Sequence, residues 1–201
     1  MASIYDIKPQ FQNLLRPIVN RIARIGVTPN QVTVAAIFLS VSTGLILLFF
    51  YVHTYILLIV PVMMFVRMAL NAIDGMLAKE HDMKTRLGNV LNELGDVVSD
   101  ACLFLPFAFI PGFSAPLIVL IVIVSIISEM AGVMGEVIGT SRRYDGPMGK
   151  SDRAFMFGVL AIFGAFEFLL GFWMTVILAI MVGLIIINIF IRIQRALKEV
   201  N

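Results

Sequence analysis

Apolar residues run in long stretches through most of this 201-residue chain, broken by short polar segments. Each stretch is long enough to cross ~30 Å of hydrocarbon as a helix. The pattern predicts six transmembrane helices, over 31–53, 54–78, 87–110, 115–139, 154–170 and 172–191. Ahead of the first, "FQNLLRPIVNRIARI" sets Phe11, Leu14, Leu15, Ile18, Ile22 and Ile25 along one helical face. Asn13, Arg16, Asn20 and Arg24 lie opposite, which predicts an amphipathic helix in the membrane interface. Asp6, Lys8, Arg16, Arg21 and Arg24 interrupt any continuous apolar core, so this segment does not read as a cleavable signal. The expected fold is an all-α integral membrane protein, a six-transmembrane-helix bundle with an N-terminal amphipathic interfacial helix. Residues 1–201 are expected to form a single membrane domain, 1–28 the interfacial segment and 29–201 the bundle.

Composition agrees with that pattern. The chain is 60% hydrophobic and 14% charged, with a mean hydropathy of +0.98, which excludes an ordinary water-soluble domain. Of the 15 Lys and Arg, all but Arg67 fall in the N-terminal segment, the 79–86 and 142–153 loops, or the tail from Arg192 to Lys198. The opposite loops, near His53, Gly112 and Gly171, carry none, so both termini and both basic loops are expected in the cytoplasm. Trp173, Tyr51 and Tyr55 suit an aromatic belt on the far side. The single cysteine, Cys102, falls in the third predicted span and reads as a small packing residue. No internal repeat or nucleic-acid signature occurs, and no nucleic-acid partner is expected.

One region breaks the apolar pattern. On the second predicted span, Arg67, Asn71, Asp74 and Ala78 share a face, and on the third Gly88, Asn92, Asp96 and Asp100 form a stripe with Glu93 beside it. A short loop joins the two spans, so the stripes face each other. A carboxylate deep in a bilayer costs ~2.5–3.5 kcal/mol and calls for a cation. Oxygen donors of this kind suit Mg²⁺, Mn²⁺ or Ca²⁺ rather than zinc. Ion pairs with Arg67, Lys79 or Arg86, or a proton or ion pathway, fit the same spacing, which leaves all three open. Deeper in the bilayer, Arg67 and Glu129 of the fourth span are expected to pair, since either charge alone would be expensive there.

The stretch from Asn71 to Asp96 resembles the signature of the CDP-alcohol phosphotransferase family. Its matching positions are Asn71, Asp74-Gly75, Ala78-Lys79, Gly88, Asn92 and Asp96. "GVTPNQVT" before the first span and "GPMGKSDR" before the fifth resemble further family elements, so the likeness covers nearly the whole chain. Such a resemblance implies a homodimeric bacterial inner-membrane enzyme with its active site facing the cytoplasm. It would transfer a phosphatidyl group from CDP-diacylglycerol to an alcohol acceptor and release CMP in phospholipid biosynthesis. Family members carry four Asp that hold two divalent ions, Mg²⁺ or Mn²⁺, and the pyrophosphate of the CDP-linked donor. Two of those positions are Asn71 and Asn92 here, and the family Arg is Lys79. The implied metal set is therefore Asp74, Asp96, Asn71 and Asn92, with Glu93 and Asp100 restoring the missing carboxylates. Asp96 matches the family's general base. Gly75, Ala78, Lys79 and Gly88 would receive the donor. Arg142, Lys150, Arg153, Arg192 and Arg195 would receive a phosphate-bearing acceptor such as glycerol 3-phosphate or a polyol phosphate. Two rival readings are a catalytically degenerate member that binds lipid or nucleotide, and a small ion-coupled transporter.

Overall fold

A computed structural model describes residues 4–168 and 171–200. Positions 1–3 and 201 of the expected domain, and 169–170 of the fifth predicted span, lie outside the described residues. Among the described residues there are seven α-helices and no strand: α1 Ile4–Arg24, α2 Pro29–Phe49, α3 Ile59–Glu80, α4 Arg86–Phe104, α5 Ala115–Val137, α6 Lys150–Ala165 and α7 Phe172–Val200. Short 3₁₀ turns, Thr54–Leu58 and Leu105–Phe109, lead into α3 and out of α4.

Local sequence explains where the helices begin and end. Gly26 adopts φ +81°, and its N–H donates to the Ala23 carbonyl at 3.0 Å while that of Val27 donates to Ile22 at 3.1 Å. This left-handed residue closes α1 and turns the chain toward the bundle. Two residues on, the Thr28 hydroxyl accepts from the Gln31 N–H at 3.3 Å and the Gln31 side chain accepts from the Thr28 N–H at 2.9 Å. Pro29 fills the first turn of α2, where no intrahelical N–H is needed. Thr85 caps α4 by accepting from the Gly88 N–H at 2.9 Å, and the Asp152 carboxylate caps α6 by accepting from Gly149 at 3.0 Å.

The bundle has an apolar core, but it also buries polar and charged groups while leaving large apolar side chains exposed on its outside. Phe38, Phe65, Phe155 and Phe190 point outward, whereas Thr33, Ser40, Ser128, Asn188 and several charged groups are buried. The most extensive packing is of α5 on α7, and of α2 on α4 and α3. Gly44 lies directly on the Cys102 backbone, so any side chain there would collide with α4; the close contact is one of small residues. Away from the polar region, Phe104 and Phe157 stack at 3.8 Å and Phe107 meets Phe157 edge-on at 5.2 Å.

Four segments have the length and hydropathy to cross a membrane: Pro29–Phe49, Thr54–Glu80, Ala115–Val137 and Phe172–Val200. The third and fifth predicted spans correspond to α4 and α6, which do not reach that standard. At ~1.5 Å per residue, α6 extends only about 24 Å, short of the ~30 Å core. The α4 helix carries Arg86, Glu93, Asp96 and Asp100 within 19 residues. On α1 the apolar face divides: Leu15 and Val19 are buried with Ile73, Met76 and Leu77, while Leu14, Ile18 and Ile25 stay exposed. Arg16 fixes the helix to α3 through both carboxylate oxygens of Glu80, at 2.9 and 3.1 Å.

Candidate active site

Because α3 and α4 are uninterrupted helices, their polar stripes meet as the spacing predicts. The Asn71 side-chain amide donates to Asp96 Oδ1 at 3.3 Å, joining the helices at the level of the motif. One turn below, Arg67 donates to Asp100 Oδ1 at 2.5 Å and to the Asp96 carbonyl at 3.1 Å. From α2 the buried Thr33 hydroxyl donates to Asp74 Oδ2 at 2.8 Å. The Lys150 ammonium, at the start of α6, is paired with Asp96 Oδ2.

Around this junction lie three cavities. The first, about 420 Å³, is walled by Thr33, Asp74, Gly75, Ala78, Lys79, Gly88 and Glu93. A second, about 460 Å³, is walled by Asp96, Glu129, Lys150, Gly149 and Arg192. Asn71, Asn92, Arg142 and Tyr144 line both, so the two meet there. The third, about 530 Å³, is an apolar groove between α3 and α6, walled by Phe65, Met68, Phe155 and Val159, that ends on Arg67, Asn71 and Lys150. Asn71 thus faces all three spaces.

The four candidate donor residues, Gly75, Ala78, Lys79 and Gly88, come together in the first cavity. A Cβ built on Gly75 meets no atom within 4 Å, so the missing side chain leaves open space rather than a helix contact. Gly75→Val is expected to weaken CDP binding at least about tenfold, some 1.4 kcal/mol, without lowering the melting temperature; titration with CDP and a thermal scan measure both. Arg142, Lys150 and Arg192 line the second cavity, but the other two acceptor candidates do not. Arg153 is fully buried, 2.8 Å from Glu129 and 3.5 Å from Asp100, and Arg195 is exposed and paired with Asp145.

Of the candidate metal residues, Asp74, Asp96, Asn71 and Asn92 face the joined cavities, and Glu93 lines the first while held by Arg142 at 2.6 Å. Asp100 is not brought there; it is buried between Arg67 and Arg153. Among the described residues no three His, Cys, Asp or Glu side chains gather closely enough to hold a metal by themselves. Two carboxylates with two carboxamides form an all-oxygen donor set, which fits a hard divalent cation.

The expected Arg67–Glu129 pair does not form. Depth along two helices does not make them neighbours: α3 packs on α1, α2 and α6, whereas α5 packs on α7 and α4. Arg67 pairs instead with Asp96 and Asp100 of α4, and Glu129 is surrounded by Arg153 at 2.8 Å, Arg142 at 3.3 Å and Arg192 at 3.5 Å.

Three contributors were absent from the sequence reading. Thr33 orients Asp74. Tyr144 lies under the Arg142 guanidinium, 4.6 Å from its ring centre, at the boundary of the two polar cavities. Fully buried Asn188 accepts from Ser128 at 2.8 Å and donates to the carbonyls of Asp145 at 3.0 Å and Pro147 at 2.8 Å. It thereby straps the α5–α6 loop across α7; at Gly146, φ +95°, a Cβ would come within 2.9 Å of the Asn188 amide. A lone Asn within "LIIINIFI" is the signal that could have pointed to it. The strap also holds Asp145, where burial opposes the carboxylate but hydrogen bonds from Arg195 and Arg143 outweigh it, keeping its pKa below the usual Asp range. That contribution is complete above the ordinary Asp range and is lost as pH falls through the depressed value.

Residues 26–187 match the CDP-alcohol phosphatidyltransferase family, and the chain belongs to that family. The inner membrane protein YnbA of Escherichia coli (strain K12) is 47% identical over 157 residues, 78% of each chain. The fold is similar to that of Mycobacterium tuberculosis phosphatidylinositol phosphate synthase (PgsA1) with CDP-DAG bound, with a TM-score of 0.74 at 21% identity over 90% of this chain and 92% of that one. For the same synthase in complex with manganese and citrate the values are 0.74 and 21%, over 90% and 87%. At that identity the likeness is one of fold.

Proposed function

We propose that the protein transfers the phosphatidyl group of CDP-diacylglycerol to an alcohol and releases CMP. The observation that carries this reading is the meeting of three spaces at Asn71: two polar cavities and an apolar groove. Gly75, Ala78, Lys79 and Gly88 receive the nucleotide, the groove between α3 and α6 receives acyl chain, and the second cavity receives the acceptor. The new bond joins the acceptor oxygen to the lipid-side phosphorus, the bond from that phosphorus to CMP breaks, and Asp96 takes the hydroxyl proton. A bound Mg²⁺ or Mn²⁺, held by donors from the set of Asp74, Asn71 and Asn92 with Asp96 beside them, would neutralise charge on the pyrophosphate and the leaving CMP. Convergence of Arg142, Lys150 and Arg192 supports an acceptor bearing a phosphate, such as glycerol 3-phosphate or a polyol phosphate.

The setting that goes with this chemistry is a bacterial inner membrane, with the site and both termini facing the cytoplasm, six helices crossing as a single domain and two chains per assembly. The relative from Escherichia coli, named as an inner membrane protein, supports the location. Incubating the purified chain with CDP-diacylglycerol, Mg²⁺ or Mn²⁺ and a panel of alcohols and phospho-alcohols tests the reading. CMP and a new phospholipid are expected together with one class of acceptor; no CMP with any acceptor would leave a protein that only binds lipid or nucleotide.

A further inference from the structure

The family pattern balances two divalent ions against four Asp, but the joined cavities of this chain present only Asp74 and Asp96 from that set. Carboxamides at Asn71 and Asn92 supply oxygen without charge. The two acids that stand nearest the missing positions are already committed. Glu93 is bound to Arg142 at 2.6 Å, and Asp100 lies between Arg67 and Arg153. Withdrawing Asp100 from that position would leave Arg67 with Asp96 alone, at 3.5 Å, and Arg153 with Glu129 alone.

A positive charge already stands at one of the two remaining carboxylates. Lys150 is the first residue of α6, and its ammonium is on Asp96 Oδ2. Its placement is built into the fold, because Asn188 holds the preceding loop by the Asp145 and Pro147 carbonyls. Asn71 spends its NH₂ on Asp96, which leaves its oxygen free to accept.

We infer that this site takes one divalent ion per chain, and that the Lys150 ammonium serves at Asp96 in place of the second. The ion's protein donors are then Asp74 with the carboxamide oxygens of Asn71 and Asn92. The inference rests on the phosphatidyl-transfer reading for its donor, whose pyrophosphate brings two negative charges. Those charges and two carboxylates are matched by one divalent ion together with the ammonium groups of Lys150 and Lys79. A second ion at Asp96 would have to displace Lys150, while Glu93 and Glu129 on the cavity walls are already paired with arginines.

The test is a titration of the full-length detergent-purified chain with Mn²⁺ in the presence of CDP, with free Mn²⁺ read from its electron paramagnetic resonance signal. One Mn²⁺ bound per chain is expected; two, or none, overturns the inference. A second arm uses Lys150→Met combined with Asn92→Asp, which removes the ammonium and returns one family carboxylate. That variant is expected to bind two, and a count that stays at one removes Lys150 from the role. CMP release by the same wild-type preparation separates this inference from the reading beneath it. Turnover with two bound ions sinks the one-ion site and leaves the transferase standing, whereas one bound ion without turnover does the opposite.

Discussion

Asp96→Asn is expected to lower CMP release by about 10²–10⁴-fold, the span typical for loss of a positioned general base and about 3–5 kcal/mol of barrier. The replacement is nearly isosteric, yet an amide cannot take the acceptor's proton. Asp96 stands at the wall of the second cavity, with Asn71 and Arg67 on Oδ1 and Lys150 on Oδ2. The nucleotide pocket is built instead on Gly75, Ala78, Lys79 and Gly88, and none of these depends on the Asp96 side chain for its position. CDP affinity should therefore stay within about threefold, a change well under 1 kcal/mol. Arg67 keeps Asp100 as a partner, which limits the loss of stability. Measuring turnover, CDP binding and melting temperature on one preparation checks all three. Near-normal CMP release would remove Asp96 from the base role, and a parallel fall in CDP affinity would make it a binding residue.

That the motif carboxylates and amides line a common space was legible because they lie on two continuous helices joined by five residues, where the 3.6-residue period fixes which side chains share a face. The donor glycines followed for the same reason. What the sequence did not convey was which helices are neighbours. Arg67 and Glu129 looked like partners by depth, but the connectivity places α5 beside α7, and each charge found other partners. The basic residues after α5 were equally opaque: they suggested an acceptor site, yet Arg153 of α6 pairs with Glu129 and Asp100, and Arg195 of α7 pairs with Asp145. Periodicity says nothing about a strap such as Asn188, which acts on backbone carbonyls more than forty residues away. The span count was limited by α4, which trades apolar residues for those that build the site, and by α6, which is only 16 residues long.

Glu129→Gln is expected to destabilise the protein by about 3–5 kcal/mol, the usual consequence of breaking a buried ion pair from one side. Glu129 is the shared counter-ion of Arg142, Arg153 and Arg192, and the last two guanidiniums are almost completely shielded. Arg153 retains only Asp100 at 3.5 Å and the Met148 carbonyl, while Arg192 is left with the carbonyls of Ser128 and Asp145. Because glutamine preserves shape, a cavity contributes little and the effect reports charge. At about 2–4 °C per kcal/mol for a chain of this size, the melting temperature in detergent should fall on the order of 10 °C. Glu136→Gln, seven residues along the same helix, exposed and in no ion pair among the described residues, serves as the control and should shift it little. A second replacement decides whether the cause is electrostatic. Arg142 is the least buried of the three, so Arg142→Gln added to Glu129→Gln removes one of the three positive charges around that position with little loss of packing, although it also releases Glu93. The double variant should recover part of the lost stability, giving a coupling energy of about 1–3 kcal/mol in a double-mutant cycle. If Glu129→Gln melts with the wild type, or if the two losses simply add, the arginines are satisfied without Glu129 and the charge it carries is not what holds them.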